Sequence, residues 1–462
     1  MIRIFRVSVS GRVLALLVSE IALTSLCFFV AAYLVLGVGV TSYFLDEGGL
    51  VRAALVVASI ILGLHFIDLY TRIQVKSRMR LLMDLNQVIG IALLTQGLIS
   101  YASPQLRLGR GIMLVGTLMS FVVLFAWRII YAGFIVSAAG ERILFLGANP
   151  IVEEVAEHIA AHPELGLSIV GYLTNGLPLG AQLIGGKVLG PILDVRKIAN
   201  EVQPSRIVVG MTERREKMPV PDLLELRFAG FTIEEAGSTF EAVCGRISTK
   251  ELRPSQLIFT GELGPRRGSL FIQDVVNFAI SMVGAIVTLP IMLLVALTVK
   301  LTSPGPALYK QTRVGKNGAP FLLYKFRSMR ADAEAETGAV WAAKDDPRTT
   351  PVGKFLRRLR LDELPQFFNV LRGEMSLVGP RPERPEFVKT LSEQIPYYRQ
   401  RHCVKPGITG WAQINHKYGD TLEDTVTKLE YDFYYIKNIS TSLDAYIIFH
   451  TLKTMLLSRG AQ

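Results

Sequence analysis

Four long apolar runs occupy the first 140 residues: 13–40, 50–69, 85–101 and 111–134. Each is close to the ~20 residues that cross a bilayer's hydrocarbon core. Backbone in lipid must satisfy its own hydrogen bonds, so these runs read as four transmembrane helices. Loop charge orients them, because basic residues stay in the cytoplasm. Arg3, Arg6 and Arg12 precede the first run, and Arg72, Lys76, Arg78 and Arg80 lie between the second and third. The loop around Asp46 and Glu47 has no base before Arg52, and the short loop after Tyr101 carries only Arg107 and Arg110. The N-terminus and the chain after residue 140 are therefore expected in the cytoplasm. The first run is long and lacks a small-residue cleavage exit, so it is expected to remain as an anchor. Glu20 and Arg128 fall inside or near spans and read as structural charges, with an interfacial position as the alternative for Arg128.

Composition narrows the function classes. Of the 462 residues, 50% are hydrophobic, and the formal charge is +11. Such charge points either to nucleic acid or to anionic lipids and phosphate substrates. The apolar runs favour the second, so no nucleic-acid partner is expected. Cys27, Cys244 and Cys403 are far apart, which excludes a disulfide framework or a zinc site. His158 and His162 share one helix face, but Ile159 stands where a zincin would carry glutamate, so they read as surface histidines.

Residues 141–262 read as a soluble α/β segment. Arg142-Ile-Leu-Phe-Leu-Gly-Ala-Asn-Pro is a strand, a tight turn and a helix start, and further strands at 168–173 and 206–209 follow at βαβ intervals. This is a Rossmann-like half with a degenerate phosphate loop: Gly147-Ala148-Asn149-Pro150 replaces G-x-G-x-x-G. The expected role is structural or regulatory. The segment also lacks the Y-x-x-x-K pair of a short-chain dehydrogenase or dehydratase.

After a linker at 264–269 comes a fifth apolar run, 270–299, unlike the others. Arg266 and Arg267 precede it, Lys300 follows it, Asp274 and Asn277 make its first turns polar, and Pro290 interrupts it. Basic residues at both ends place both ends on the cytoplasmic side. A proline break allows a helix to enter and return, so the run reads as a re-entrant helix–break–helix. The last domain, 263–462, is basic and aromatic. Asn317-Gly318 signals a hairpin between 309–314 and 321–327. Alternation puts Lys325 and Arg327 on one strand face, with Tyr324 and Phe326 on the other. Residues 331–338 read as a polar loop and Asp345-Asp346-Pro347-Arg348 as a turn. Trp411, in a loop-rich stretch, suits a membrane interface. Helices are expected at 429–438 and 442–457, the last along the membrane surface.

The densest chemistry is Arg357-Arg-Leu-Arg-Leu-Asp-Glu-Leu-Pro. Asp362 and Glu363 lie between groups of arginines, and Pro365 suits a first helical turn. Taken alone, the pair reads as a helix cap and a first-turn acid. The pair also suits chemistry at a phosphate, where a carboxylate attacks, a cation neutralises and arginines clamp the oxygens.

Six collinear blocks resemble the bacterial sugar transferases, the monotopic polyprenyl-phosphate phosphoglycosyl transferases. They are S-P-G-P (303–306), Q-x-R-V-G-x-N-G (311–318), Y-K-F-R-S-M (324–329), L-D-E-L-P-Q (361–366), N-V-L-R-G-E-M-S-L-V-G-P-R-P-E (369–383) and K-P-G-I-T-G-W-A-Q (405–413). With the four spans (1–140) and the Rossmann-like cytoplasmic domain (141–262), the chain resembles the family's large form. That form primes exopolysaccharide, capsule or O-antigen synthesis. The resemblance implies a membrane α/β protein of the bacterial inner membrane, with a monotopic catalytic domain on the cytoplasmic face. It implies transfer of a sugar-1-phosphate, glucose or galactose by default, from a UDP-sugar to undecaprenyl phosphate with release of UMP. It implies Mg²⁺ dependence and a covalent phosphosugar on the aspartate matching Asp362. Glu363, with Asp362, would hold the metal. Arg357 and Arg381 match arginines of the family's site, and Arg327 and Lys325 are further phosphate-binding candidates. Pro290 matches the proline of the family's re-entrant break. The usual R-R-T-S-L-D-E block departs here to Arg357-Arg-Leu-Arg-Leu-Asp-Glu, and Arg358, Arg360 and Arg372 are expected to face water or head groups. A homodimer is a further expectation. The competing classes are a non-catalytic membrane scaffold or nucleotide-sensing regulator, and a membrane-anchored nucleotide-sugar dehydratase.

Overall fold

The computed structural model describes residues 2–4, 7–70, 77–135, 140–211, 218–250, 267–330, 333, 346–416 and 421–456. The chain divides into two compact units, one running to Thr239 and one from Phe240. Among the described residues, five helices are long and apolar enough to cross a membrane. The loop bases Arg72 and Lys76, the linker at 264–266 and nearly all of 331–345 lie outside the described residues.

The first unit contains four long helices near its start: α1 (Gly11–Leu36), α2 (Gly49–Phe66), α3 (Arg78–Ala102) and α4 (Arg110–Ile130). Ser10 and Ser77 cap α1 and α3 by accepting from the amides of Arg12 and Arg80. Phe28, Ile60, Leu64, Val88 and Leu124 are buried between the helices. Leu34, Leu94, Leu98, Leu118 and Val122 point outward and exposed. Helices apolar on both faces are stable where the outer face meets lipid.

The two charges foreseen inside spans meet there. Arg128 Nε lies 2.7 Å from Glu20 Oε1, its Nη2 donates to Glu20 Oε2 at 3.1 Å, and its Nη1 donates to the Leu69 carbonyl at 2.8 Å. Both side chains are buried, at 3% and 0% exposure. Arg128 is thus a core residue with a partner, not an interfacial one.

The α/β part of this unit comprises β1 (Glu141–Leu146), α5 (Pro150–Ala161), β2 (Leu167–Leu173), β3 (Gln182–Leu183), β4 (Gly186–Gly190), α6 (Val195–Val202), β5 (Arg206–Val209), α7 (Val220–Phe228) and β6 (Thr232–Glu235). The sheet order is β3-β4-β2-β1-β5-β6, parallel except for the β3–β4 pair. Leaving out β3, the parallel strands follow the winding order of dinucleotide-type sheets. The loop after β1 is closed by its own neighbours. Asn149 Oδ1 accepts from the Val152 amide at 2.9 Å and caps α5, with Pro150 in the first turn. Gly147, at φ +101°, packs so tightly on the Gly210 carbonyl that a Cβ there would collide with it. His158 of α5 and His162, the residue just after that helix, stack at 4.1 Å, and the His162 ring Nδ1 meets the His158 carbonyl.

The second unit is built on α8 (Arg267–Thr302), a single 36-residue helix with Pro290 inside it. The expected break is absent: helical structure runs through the proline. Pro290 removes one amide and crowds the Ile286 carbonyl, which can bend a helix without ending it. One narrow stripe of α8 carries its protein contacts. Gln273 Nε2 donates to Tyr435 Oη and Asp444 Oδ2 at 2.7 Å each, and Asn277 Nδ2 donates to Ser376 Oγ at 2.7 Å. Beyond Pro290, Met292, Val295 and Val299 pack with Phe326 and Leu356. The remaining surface, including Phe271, Val283, Ile286, Val287, Leu294 and Leu301, is exposed and apolar.

The hairpin forms as read: β7 (Leu308–Val314) and β8 (Pro320–Phe326) pair antiparallel around Asn317 and Gly318, both at positive φ. Then come α9 (Pro351–Arg358), α10 (Gln366–Leu371), β9 (Ser376–Val378), α11 (Pro385–Gln394), β10 (Gly407–Thr409), α12 (Trp411–Asn415), α13 (Leu422–Asn438) and α14 (Thr441–Leu456). A Thr421/Asp424 capping box starts α13 seven residues before the expected position. Trp411 is buried rather than interfacial. It stacks on Tyr434 at 5.4 Å, and its Nε1 donates to the Gly245 carbonyl at 2.7 Å. A satisfied N–H lets the ring serve as core. Leu443 and Ile447 of α14 also enter this core.

Strands β9 and β10 explain the glycines of V-G-P-R-P and K-P-G-I-T-G. They pair in parallel, and Gly407 lies so close to Gly379 that a Cβ would overlap the Gly379 amide. Backbone cannot yield as a side-chain tip can, so Gly407→Ala is expected to lower stability by about 3 kcal/mol. A thermal melt of the full chain in detergent measures this; an unchanged midpoint contradicts the tight packing.

Candidate active site

Glu363 is the hub of the site. Lys325 Nζ, from β8, lies 2.9 Å from Glu363 Oε1. Arg381 Nη2 lies 3.8 Å from the same oxygen, and Arg360 Nη1 lies 3.6 Å from Oε2. Three cations from separate segments thus converge on one carboxylate. Asn369 helps bring them together. From α10 its Nδ2 donates to the Leu322 carbonyl at 2.7 Å and its Oδ1 accepts from the Tyr324 amide at 3.1 Å. It completes the free edge of β8 and so fixes the strand bearing Lys325 to the segment bearing the acids.

The acids themselves occupy a 3₁₀ turn, Leu361–Glu363, entered through Arg360 in the left-handed region at φ 52°. The helix that follows is six residues long and is capped at Pro365. The expectation that Asp362 caps a helix is therefore corrected: the N-cap position is Pro365, and Leu364 separates it from the dyad. Asp362 is buried. Its carboxylate meets its own backbone amide and makes no side-chain hydrogen bond among the described residues.

Burial first, then the neighbouring Glu363 charge, pushes the Asp362 carboxyl above its ordinary 3.8, against the opposing charges of Lys325 and Arg357. Burial also pushes Glu363 upward, but Lys325, Arg381 and Arg360 together outweigh it and hold that acid down at about 2. The two adjacent acids thus differ in character: Glu363 is a fixed anion, and Asp362 is a more basic carboxylate. For stability they act in opposite senses. The Glu363 contribution is full above 4.5 and is lost as pH falls towards about 2. The Asp362 contribution is full at low pH and is lost as pH rises from 3.8 through the raised value.

The remaining sequence candidates separate. Arg357 Nη1 donates to Thr349 Oγ1 at 3.3 Å, with its charge also felt at Asp362. Arg327 turns away from the dyad. Its Nη2 donates to the Ser303 carbonyl at 2.8 Å and Ser303 Oγ at 2.7 Å, at the C-terminal end of α8. Strand alternation paired Arg327 with Lys325, but β8 ends at Phe326 and the alternation ends with it. Arg360, expected to face water, joins the site instead; its i,i+3 spacing to Glu363 is the signal for that contact.

Among the described residues no cluster of three or more His, Cys, Asp and Glu side chains could hold a metal. Mg²⁺ needs less from protein, since one or two carboxylates plus substrate phosphates suffice. Asp362 and Glu363 fit that donor set.

The site thus gathers positive charge around one buried carboxylate, in the same unit as a long apolar helix. The bacterial sugar transferase family model matches residues 268–458, the segment containing α8 and the whole site. A UDP-glucose:undecaprenyl-phosphate glucose-1-phosphate transferase of Xanthomonas campestris pv. campestris is 33% identical over 381 residues, covering 76% of this chain and 74% of its own. An enzyme of the same name from Klebsiella pneumoniae is 35% identical over 328 residues, covering 70% and 69%. A UDP-N-acetylgalactosamine-undecaprenyl-phosphate N-acetylgalactosaminephosphotransferase of Aeromonas hydrophila is 46% identical over 222 residues, spanning 48% of this chain and about half, 52%, of its own length. The chain belongs to the bacterial sugar transferase family and is a membrane protein.

Proposed function

We propose that this protein transfers a hexose-1-phosphate from a UDP-sugar to undecaprenyl phosphate, releasing UMP, through a phosphosugar on Asp362. The observation that carries the reading is the pairing of a buried Asp362, with no side-chain hydrogen-bond partner among the described residues, with a Glu363 held by Lys325, Arg360 and Arg381. An Asp362 oxygen attacks the sugar-bearing phosphorus, the bridging P–O bond breaks, and its electron pair leaves with UMP. A lipid-phosphate oxygen then attacks the same phosphorus, and the Asp362–phosphorus bond breaks to restore the carboxylate. No net proton moves. The three cations and Arg357 neutralise the diphosphate as charge shifts to the leaving group. Mg²⁺, held by Glu363 with Asp362 beside it, would supply further positive charge against the diphosphate.

The contacts of α8 support a re-entrant placement, and the basic residues at both its ends support the cytoplasmic face. Gln273 and Val299 are about 39 Å apart along a straight helix, more than the ~30 Å hydrocarbon core. Yet contacts on both sides of Pro290 are made within one domain. A straight span would put those two ends in different compartments. A helix bent at Pro290 without ending there, dipping into one leaflet, keeps both with the domain and sets the site where a lipid phosphate can reach it. Protein relatives named for glucose and for N-acetylgalactosamine leave the donor to be found by assay. Full-length protein in nanodiscs, given undecaprenyl phosphate and a panel of UDP-sugars, is expected to form one lipid-linked sugar and UMP. A modified nucleotide sugar, or no lipid product with any donor, overturns the reading.

Turnover should also follow the Asp362 proton. Protonation removes the nucleophile, so kcat/KM, which reports the free enzyme, is full above the raised value and falls as pH drops through it. The acid limb of kcat/KM is expected above the ordinary carboxylate value of 3.8. A limb at or below 3.8 contradicts the buried setting.

A further inference from the structure

The Pro380–Glu383 loop bears Arg381 and has its four successive carbonyls held from elsewhere in the same domain. Pro380 accepts from the Gly407 amide at 2.9 Å, and Glu383 accepts from the Val314 amide at 2.9 Å. Between them, side chains take over. Arg401 Nη2 donates to the Arg381 carbonyl at 3.2 Å, and Arg313 Nη1 donates to the Pro382 carbonyl at 3.0 Å. Prolines at 380 and 382 restrict the loop further by fixing their own φ.

Arg401 is the deepest of these anchors, at 6% exposure. Its Nε and Nη2 grip Asp432 Oδ2 at 3.0 and 2.7 Å, and its Nη1 donates to Tyr398 Oη at 2.8 Å. Asp432, on α13, is also buried. A buried arginine fork has fixed directions once its carboxylate is in place, so the remaining Nη2 proton has a defined target. That target is the carbonyl of the residue whose side chain faces Glu363.

We infer that Arg401, locked by Asp432, is a positioning residue: it fixes the Arg381 backbone so that the Arg381 guanidinium is presented to Glu363 and to the substrate phosphates. Neither Arg401 nor Asp432 approaches the dyad; they act through the loop. The inference rests on Arg381 serving the phosphoryl transfer proposed above. A lysine at 401 keeps the charge beside Asp432 and loses the fork that spans Asp432 and the loop.

The test uses full-length protein in nanodiscs. Arg401→Lys is expected to lower kcat about tenfold in the wild-type background and less than about twofold in Arg381→Ala, because residues acting through one another are non-additive. Equal losses in both backgrounds assign Arg401 a general structural role and overturn the inference. Hydrogen–deuterium exchange reads the loop without any turnover. Arg401→Lys is expected to raise exchange in peptides covering 379–384 while those from α13 keep their protection. Unchanged exchange at 379–384, or loss of protection throughout the domain, also overturns it. Should Arg401→Lys fail to fold, Tyr398→Phe removes one bond to Nη1 and should give the same pattern at smaller amplitude. If the wild type forms no lipid-linked sugar with any donor, the functional reading fails, and the exchange result still decides the role of Arg401.

Discussion

Asp362→Asn is expected to abolish sugar-phosphate transfer, by at least about 10³-fold, because the amide preserves shape and removes the nucleophilic oxyanion. Covalent labelling by donor should disappear with it. The fold should not suffer. Asp362 is a buried acid whose charged form is disfavoured by burial and by Glu363, so a neutral isostere relieves repulsion. The melting midpoint is expected to stay or rise while activity is lost, the usual trade at a site built for chemistry. Glu363→Gln should do the reverse to stability, leaving Lys325, Arg360 and Arg381 facing one another without their shared anion. Residual turnover of Asp362→Asn within tenfold of wild type, or a phosphosugar still attached to it, sinks the nucleophile assignment.

Local signals in the sequence carried far. Asn317-Gly318 specified the hairpin because both positions adopt positive φ, and Arg206–Val209 was readable as a strand from its own β-branched run. The apolar runs marked the helices. What failed depended on contacts across the chain. Trp411 reads as an interfacial aromatic until the Gly245 carbonyl, 166 residues away, satisfies its N–H. Arg327 and Lys325 look equivalent in a strand pattern, and only the end of β8 separates them. Pro290 signalled a break, yet one missing amide is too small a loss to stop a helix whose two halves are both held by side-chain contacts. At the site, the adjacency of Asp362 and Glu363 among arginines was legible. The convergence of Lys325, Arg360 and Arg381 on Glu363 was not, because it depends on Asn369 joining α10 to β8.

Glu20→Gln is expected to destabilise the N-terminal helices by about 3–5 kcal/mol, a large share of the ~5–15 kcal/mol that holds a domain folded. The variant leaves Arg128 buried at 3% exposure without its counter-charge, keeping the Leu69 carbonyl as a neutral partner. The sequence names both charges but cannot pair residues 108 positions apart. Their pairing explains how a charge survives inside an apolar bundle: one arginine ties α1 to α4 through Glu20 and reaches the chain beyond α2 through Leu69. Removing both charges should be milder than removing one, because the penalty is the unpaired ion. Glu20→Leu combined with Arg128→Met should therefore regain most of the loss, short of the bond to Leu69. Denaturation midpoints of the three full-length proteins in detergent measure the difference. If the single variant melts with the wild type, or the double variant melts below the single, the pair is not what holds these helices in register.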